Sequence, residues 1–142
     1  MIVVIIGPTG VGKTKLSLEL AKKYNAEIIN ADAMQVYKEM NIGTAKVTDK
    51  MGITHHLLSI RSVNEPYSVY EYQKDGRKLI ERLKKENKNI IIVGGTGLYI
   101  KALLYDYKFN INDKNKDYDD LSNEEILNKI KEYCDTDIHV NN

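Results

Sequence analysis

An apolar run, Ile2-Val3-Val4-Ile5-Ile6, leads straight into Gly7-Pro8-Thr9-Gly10-Val11-Gly12-Lys13-Thr14, and an amphipathic segment follows. This junction constrains the fold more than any other stretch. Glycines stand where the backbone takes unusual torsions, so that successive N–H groups point inward at one anion. The spacing Gly-x-x-x-x-Gly-Lys-Thr is that of a phosphate cradle. Lys13 adds a mobile positive charge. Thr14 offers a hydroxyl suited to a magnesium ion, and the helix that starts here adds the positive end of its dipole. Gly7, Pro8, Thr9, Gly10, Val11, Gly12, Lys13 and Thr14 are therefore the candidate diphosphate or nucleotide site, with Thr14 as candidate metal ligand.

The flanks predict the fold. Residues 2–6 are continuously β-branched, the pattern of a parallel strand covered on both faces. After Thr14, Leu16, Leu20, Ala21 and Tyr24 form the apolar side of a helix that covers the sheet. Glu27-Ile28-Ile29-Asn30 reads as a second strand, which delivers Asp32 to its C-terminal end. Strand, helix, strand is a right-handed crossover, so Asp32 and the cradle should emerge on one edge of the sheet. Met34-Gln35-Val36-Tyr37 reads as a short helix, Asn41 to Lys46 as loop and His55 to Ile60 as a short strand. The adjacent histidines His55 and His56 would point to opposite faces of that strand, which argues against a shared metal. Ser68-x-x-Glu71 is a capping box opening a helix to about Asn87, with Tyr72, Leu79, Ile80 and Leu83 as its buried stripe. Ile90-Ile91-Ile92-Val93 is another buried strand. It ends in Gly94-Gly95-Thr96-Gly97, a turn that allows close backbone approach and offers a hydroxyl, before a helix-like Leu98 to Leu104.

Length and charge bound the rest. A chain of 142 residues suits one core. Residues 1–112 hold 17 Lys/Arg against 11 Asp/Glu, whereas residues 113–142 hold 4 against 9, so a basic body precedes an acidic end. A basic body attracts polyanions. The single cysteine, Cys134, cannot close a disulfide within the chain, and no Cys/His cluster has zinc spacing. The N-terminal apolar run is too short for a signal peptide or membrane span. A cytoplasmic protein is expected. From Asn110 to Asp120 the composition turns to Asp, Asn and Lys, a solvated linker, after which Ser122-x-x-Glu125 caps a short helix with Ile126, Leu127, Ile130 and Tyr133 as its apolar side.

Cradle, carboxylate and Gly-Gly-Thr turn converge on one sheet edge. Asp32 there serves either as a metal ligand for phosphoryl transfer or as a general base. Gly7 to Thr14, Asp32-Ala33-Met34-Gln35-Val36-Tyr37, Gly43-Thr44-Ala45-Lys46, His55-His56-Leu57 and Val93-Gly94-Gly95-Thr96-Gly97-Leu98-Tyr99-Ile100-Lys101-Ala102-Leu103 resemble, in order and spacing, the tRNA dimethylallyltransferase (tRNA isopentenyltransferase) family. The resemblance covers about the first 105 residues. It implies a P-loop NTPase-like three-layer α/β sandwich with a mainly parallel sheet, and a transferase that moves a dimethylallyl group from dimethylallyl diphosphate to the exocyclic amine of the adenine 3′ to the anticodon. It further implies Mg²⁺ as cofactor, the tRNA anticodon stem-loop as partner, and neither DNA nor membrane. By the same resemblance Asp32, Thr96 and Lys13 are catalytic, and Asp32, Ala33, Met34, Gln35 and Thr96 contact the tRNA.

Val47 departs from the family's usual proline and Ser59 from a common acidic residue. Family members are roughly twice as long, so the resemblance implies residues 1–109 as the catalytic core and residues 110–142 as the linker and short helix of a C-terminally truncated chain. Asp137 to Asn142 resembles the family's Ile-His-Pro-Asn segment. Two other readings stand beside the transferase. A small-molecule P-loop kinase would use Asp32 to place a hydroxyl, but residues 105–142 contain no arginine for its lid. A binding remnant would hold diphosphate or RNA without turnover.

Overall fold

A computed structural model of the chain describes residues 1–40, 50–105, 107–109, 122, 124–126 and 128. The expected loop Asn41–Lys46, the linker 110–120, Leu127, Ile130, Tyr133 and the segment 137–142 lie outside the described residues. Two compact units divide at Lys108 and Phe109. Within the second, Ser122 and Glu125 form the expected capping box: the Ser122 N–H donates to Glu125 Oε2 at 2.9 Å, and the Glu125 N–H to Ser122 Oγ at 3.4 Å.

The first unit is built on the strands β1 (Ile2–Ile6), β2 (Ala26–Asn30), β3 (His55–His56) and β4 (Asn89–Gly94), with the helices α1 (Lys13–Tyr24), α2 (Val69–Lys85) and α3 (Gly97–Leu104). All strand pairs are parallel, in the order β1-β4-β2-β3. Each crossover therefore returns over a face, and all strands end at the same edge. The β-branched runs alternate between two cores. Ile29, Ile90 and Ile92 pack with Tyr72, Leu83, Tyr99 and Leu103 of α2 and α3, whereas Ile28 and Ile91 pack with Ala21 on the α1 side. Helix, sheet and helix make three layers, as the family resemblance implies.

Several expectations change in the structure. Full cover of β1 fails because β1 is an edge strand: Val3 and Ile5 pack on the α1 side, while Ile2, Val4 and Ile6 are exposed. Helices α2 and α3 pack over β2 and β4, so the same face of β1 gains no roof among the described residues. On α1 the buried residues are Ser17 and Ala21, with Leu18 and Leu20 partly buried, while Leu16 and Tyr24 point outward. A small-residue stripe lets the helix sit close to the sheet. Residues 33–36 form turns instead of a helix. This segment pairs instead with the chain after β3: the Ser59 N–H donates to Gln35 O at 3.0 Å and the Ile60 N–H to Val36 O at 2.8 Å. Only His55 and His56 of the expected strand 55–60 are extended in the sheet.

The long helix α2 follows its sequence signals. Ser68 accepts from the Glu71 N–H, and the Glu71 side chain accepts from the Ser68 N–H, the reciprocal pair of a capping box. Tyr72, Ile80 and Leu83 are buried as expected, joined by Gln73 and Gly76, with Leu79 at the core's margin. Tyr72 stacks on Tyr99 with ring centroids 3.8 Å apart and donates its hydroxyl to Asn30 O at 2.9 Å. Burial raises both phenols above their ordinary values, that of Tyr72 far above, so Tyr72 stays a donor at any working pH.

Candidate active site

The cradle joins β1 to α1, and its geometry follows from two glycines. Gly10 and Gly12 have φ of +86° and +89°, in the left-handed region that residues with a Cβ rarely adopt. Gly7, the motif's first glycine, needs no such torsion. Gly12 serves as the N-cap of α1 without any side-chain cap, so the first-turn N–H groups of α1 have no capping oxygen of their own. An anion is the natural partner for such a terminus. Lys13 Nζ donates to Pro8 O at 2.6 Å, which folds the ammonium over the loop it would share with a phosphate.

A cavity of about 580 Å³ opens beside this loop. Thr9, Gly10, Gly12, Lys13 and Thr14 line it together with Asp32 and Gln35. The expected meeting of cradle and carboxylate is therefore present on one cavity, at the C-terminal edge of the sheet. Leu18, Ile28, Met51, Leu58 and Val93 supply apolar wall. Gly7, Pro8, Val11, Ala33, Met34 and Thr96 do not line it.

Asp32 is held by its own turn. Its Oδ1 accepts from the Met34 N–H at 3.0 Å, while a methyl group added at Gly95 would lie 3.9 Å from Oδ2. Thr96 stands behind this turn. It is the N-cap residue of α3 but makes no cap bond, because its Oγ1 accepts instead from the Ala33 N–H at 3.0 Å. The Thr96 N–H donates to Ala31 O at 3.1 Å. The Gly-Gly-Thr turn thus clasps the strand end that carries Asp32. Gly94 permits the clasp, since a Cβ there would fall 2.1 Å from Ala31 O.

Two site residues escape the sequence reading. Asn30 is 4% exposed and lines the cavity below Asp32. A carboxamide ending an apolar strand was the available signal. His55 also lines the cavity: its Nδ1 lies 2.9 Å from Ile53 O, and its Nε2 is buried with no partner among the described residues. Burial lowers its pKa below the ordinary histidine value, so the ring is neutral and Nδ1 donates to the carbonyl. His56 turns to the other face, with Nε2 2.6 Å from Glu27 Oε2. Among the described residues, no three His, Cys, Asp or Glu side chains group as metal ligands.

A family model described as IPP transferase matches residues 35–142. The chain belongs to the IPP transferase family. It is 48% identical over 99% of its length to the tRNA dimethylallyltransferase of Staphylococcus saprophyticus, of which it covers 50%. Over 77% of its length it is 58% identical to the tRNA dimethylallyltransferase of Geobacillus thermodenitrificans, covering 35% of that protein. The solved tRNA isopentenylpyrophosphate transferase from Bacillus halodurans superposes with a TM-score of 0.72 at 39% identity, over 93% of this chain and 42% of that one. A eukaryotic dimethylallyltransferase acting on tRNA gives 0.72 at 31% identity, over 92% of this chain and 35% of that one. This family member spans half or less of the length of these relatives. The family model begins beyond the cradle and Asp32, and the match to the Staphylococcus saprophyticus protein extends over 99% of the chain.

Proposed function

We propose that this chain carries the donor and acceptor site of a tRNA dimethylallyltransferase. It would transfer a dimethylallyl group from dimethylallyl diphosphate to the exocyclic amine of the adenine 3′ to the anticodon. The observation that carries the reading is the placement of Lys13 and Asp32 on one cavity with an apolar wall between sheet and α1.

In the reaction the amine nitrogen bonds to the allylic carbon as that carbon's bond to the diphosphate oxygen breaks. The amine proton passes to an Asp32 carboxylate oxygen, and diphosphate departs. Charge grows on the leaving oxygens, where the N–H groups of the cradle and the Lys13 ammonium would stabilise it. Removing the proton as the bond forms makes a weak nucleophile competent. Leu18, Met51 and Val93 suit the apolar tail, and Gln35 on the acceptor side suits a nucleotide. Thr96 and Ala33 act from behind, by fixing the Asp32 turn, and the base must leave its stack to arrive there.

A magnesium ion fits as a diphosphate-borne ion: Mg²⁺ keeps several waters and takes one or two protein oxygens with substrate phosphates, and Thr14 lines the cavity beside Lys13. Thr14 would hold such an ion, whose charge would further neutralise the leaving group. No helix among the described residues is long and apolar enough to cross a membrane, and a lone cysteine fits a reducing cytoplasm.

Labelled dimethylallyl diphosphate and an anticodon stem-loop test the reading. The chain should release diphosphate only when RNA is present, either alone or mixed with a polypeptide carrying the part of the Staphylococcus saprophyticus relative that it does not match. No RNA-dependent release in either mixture overturns it.

A further inference from the structure

We infer that Asn30 is the positioning residue for Asp32, an inference that rests on the proposed role of Asp32 as base. One side-chain carboxamide holds both main-chain groups of Asp32. Asn30 Oδ1 accepts from the Asp32 N–H at 3.2 Å, and Asn30 Nδ2 donates to Asp32 O at 3.0 Å. The second Nδ2 hydrogen goes to Leu57 O at 2.9 Å, across the sheet in the turn that follows β3. Leu57 has φ of +56°, a costly torsion for leucine that persists where surroundings fix it.

Only a carboxamide does this at one position. Two donors must meet two carbonyls while an acceptor meets an amide, and asparagine supplies all three from one planar group. Its own main chain is fixed in turn, because the buried Tyr72 hydroxyl donates to Asn30 O. The opposite flank of Asp32 is clasped by Thr96 through Ala31 O and the Ala33 N–H. With the backbone held from both sides, the carboxylate needs only Oδ1 for its local turn, through the Met34 N–H. Among the described residues no donor takes Oδ2, which leaves it for the substrate proton.

This division of labour predicts what each substitution does. Asn30→Leu removes all three bonds at similar volume. Asn30→Asp keeps the shape but turns a second oxygen toward the carbonyls of Asp32 and Leu57, so the turn shifts although the outline is unchanged. A displacement near 1 Å at a reacting group costs about 100-fold in rate. The donor is held by the cradle, whereas the Asn30 side chain bonds Asp32 and Leu57 instead, so donor binding should not change.

Two measurements on the full chain decide the matter. Amide hydrogen exchange at Met34 reports the Asp32 carboxylate directly, because that N–H donates to Oδ1. It should rise about tenfold or more in both variants while Ile28 and Ile29 in β2 keep their protection. RNA-dependent transfer should show kcat down about 10–100-fold, with the dissociation constant for inorganic diphosphate unchanged. Unchanged Met34 exchange overturns the inference. Loss of protection throughout β2 and β4 in both variants also overturns it, since that is a structural role alone. If the unsubstituted chain transfers nothing, alone or with the complementing polypeptide, the proposed function fails, and the Met34 exchange still decides whether Asn30 positions the carboxylate.

Discussion

Replacing Gly94 by alanine adds one methyl group where β4 passes the end of β2 most closely. Its Cβ would lie 2.1 Å from Ala31 O, 2.2 Å from Ala31 C and 2.8 Å from Ala31 Cα. All three are main-chain atoms, so no rotamer change relieves the overlap. Retreat from 2.1 Å to a tolerable 3.0 Å requires a strand shift of about 0.9 Å. That shift strains the Ala31 N–H bond to Val93 O, now 2.8 Å, and the Thr96 N–H bond to Ala31 O, now 3.1 Å. Overpacking costs about 1–3 kcal/mol and each lost bond about 1 kcal/mol, so the expected loss is about 3–5 kcal/mol. A small domain has only about 5–15 kcal/mol to lose. Urea unfolding followed by circular dichroism measures the change. Gly97→Ala is the control, because nothing lies within 4 Å of its Cβ and it opens α3 without a positive φ. It should be neutral or stabilising by up to about 1 kcal/mol. A Gly94→Ala loss below about 1 kcal/mol, or equal effects at both glycines, refutes the argument that close strand approach sets this edge.

Lys13→Ala should weaken inorganic diphosphate binding about 10–100-fold, the worth of a charge-assisted bond, by isothermal calorimetry, with the urea midpoint little changed. Tyr72→Phe should cost about 1 kcal/mol in urea unfolding, because the buried hydroxyl leaves Asn30 O one donor short. The Glu27 carboxyl is held below 4.5 by its bond from His56, and burial only partly opposes this. A depressed carboxyl stabilises the fold above its unfolded value and ceases to do so as pH falls through its folded value. Wild-type Tm should therefore drop below about pH 4.5, and Glu27→Gln should show a shallower drop over the same range.

What the sequence carried was local. The β-branched runs at 2–6 and 90–93 and the capping box at Ser68 sit where pattern and torsion preference agree, and each appears as an element. The edge position of β1 was not legible, because strand order depends on pairings between residues nearly ninety apart, such as Ile2 with Ile90. The face of α1 was legible only in part for a related reason: Leu20 and Ala21 lie inward as expected, but the close approach to the sheet selects Ser17 over Leu16 and Tyr24. Residues 34–37 read as a short helix, yet Gln35 O and Val36 O are taken by Ser59 and Ile60. At the site, the cradle and Asp32 were readable as types at fixed spacing. Asn30 and the bond from the Ala33 N–H to Thr96 were not, because both act through hydrogen bonds to main chain that only the folded strand ends bring together.

The central claim is that a carboxylate facing the anion cradle takes the proton from the incoming amine. Single-turnover transfer to an anticodon stem-loop by the chain and by Asp32→Asn, with donor binding measured on both, tests it most directly. The account predicts a rate lower by about 100-fold or more in the variant with donor affinity retained. Equal rates, or a loss of donor affinity that accounts for the whole effect, would contradict it.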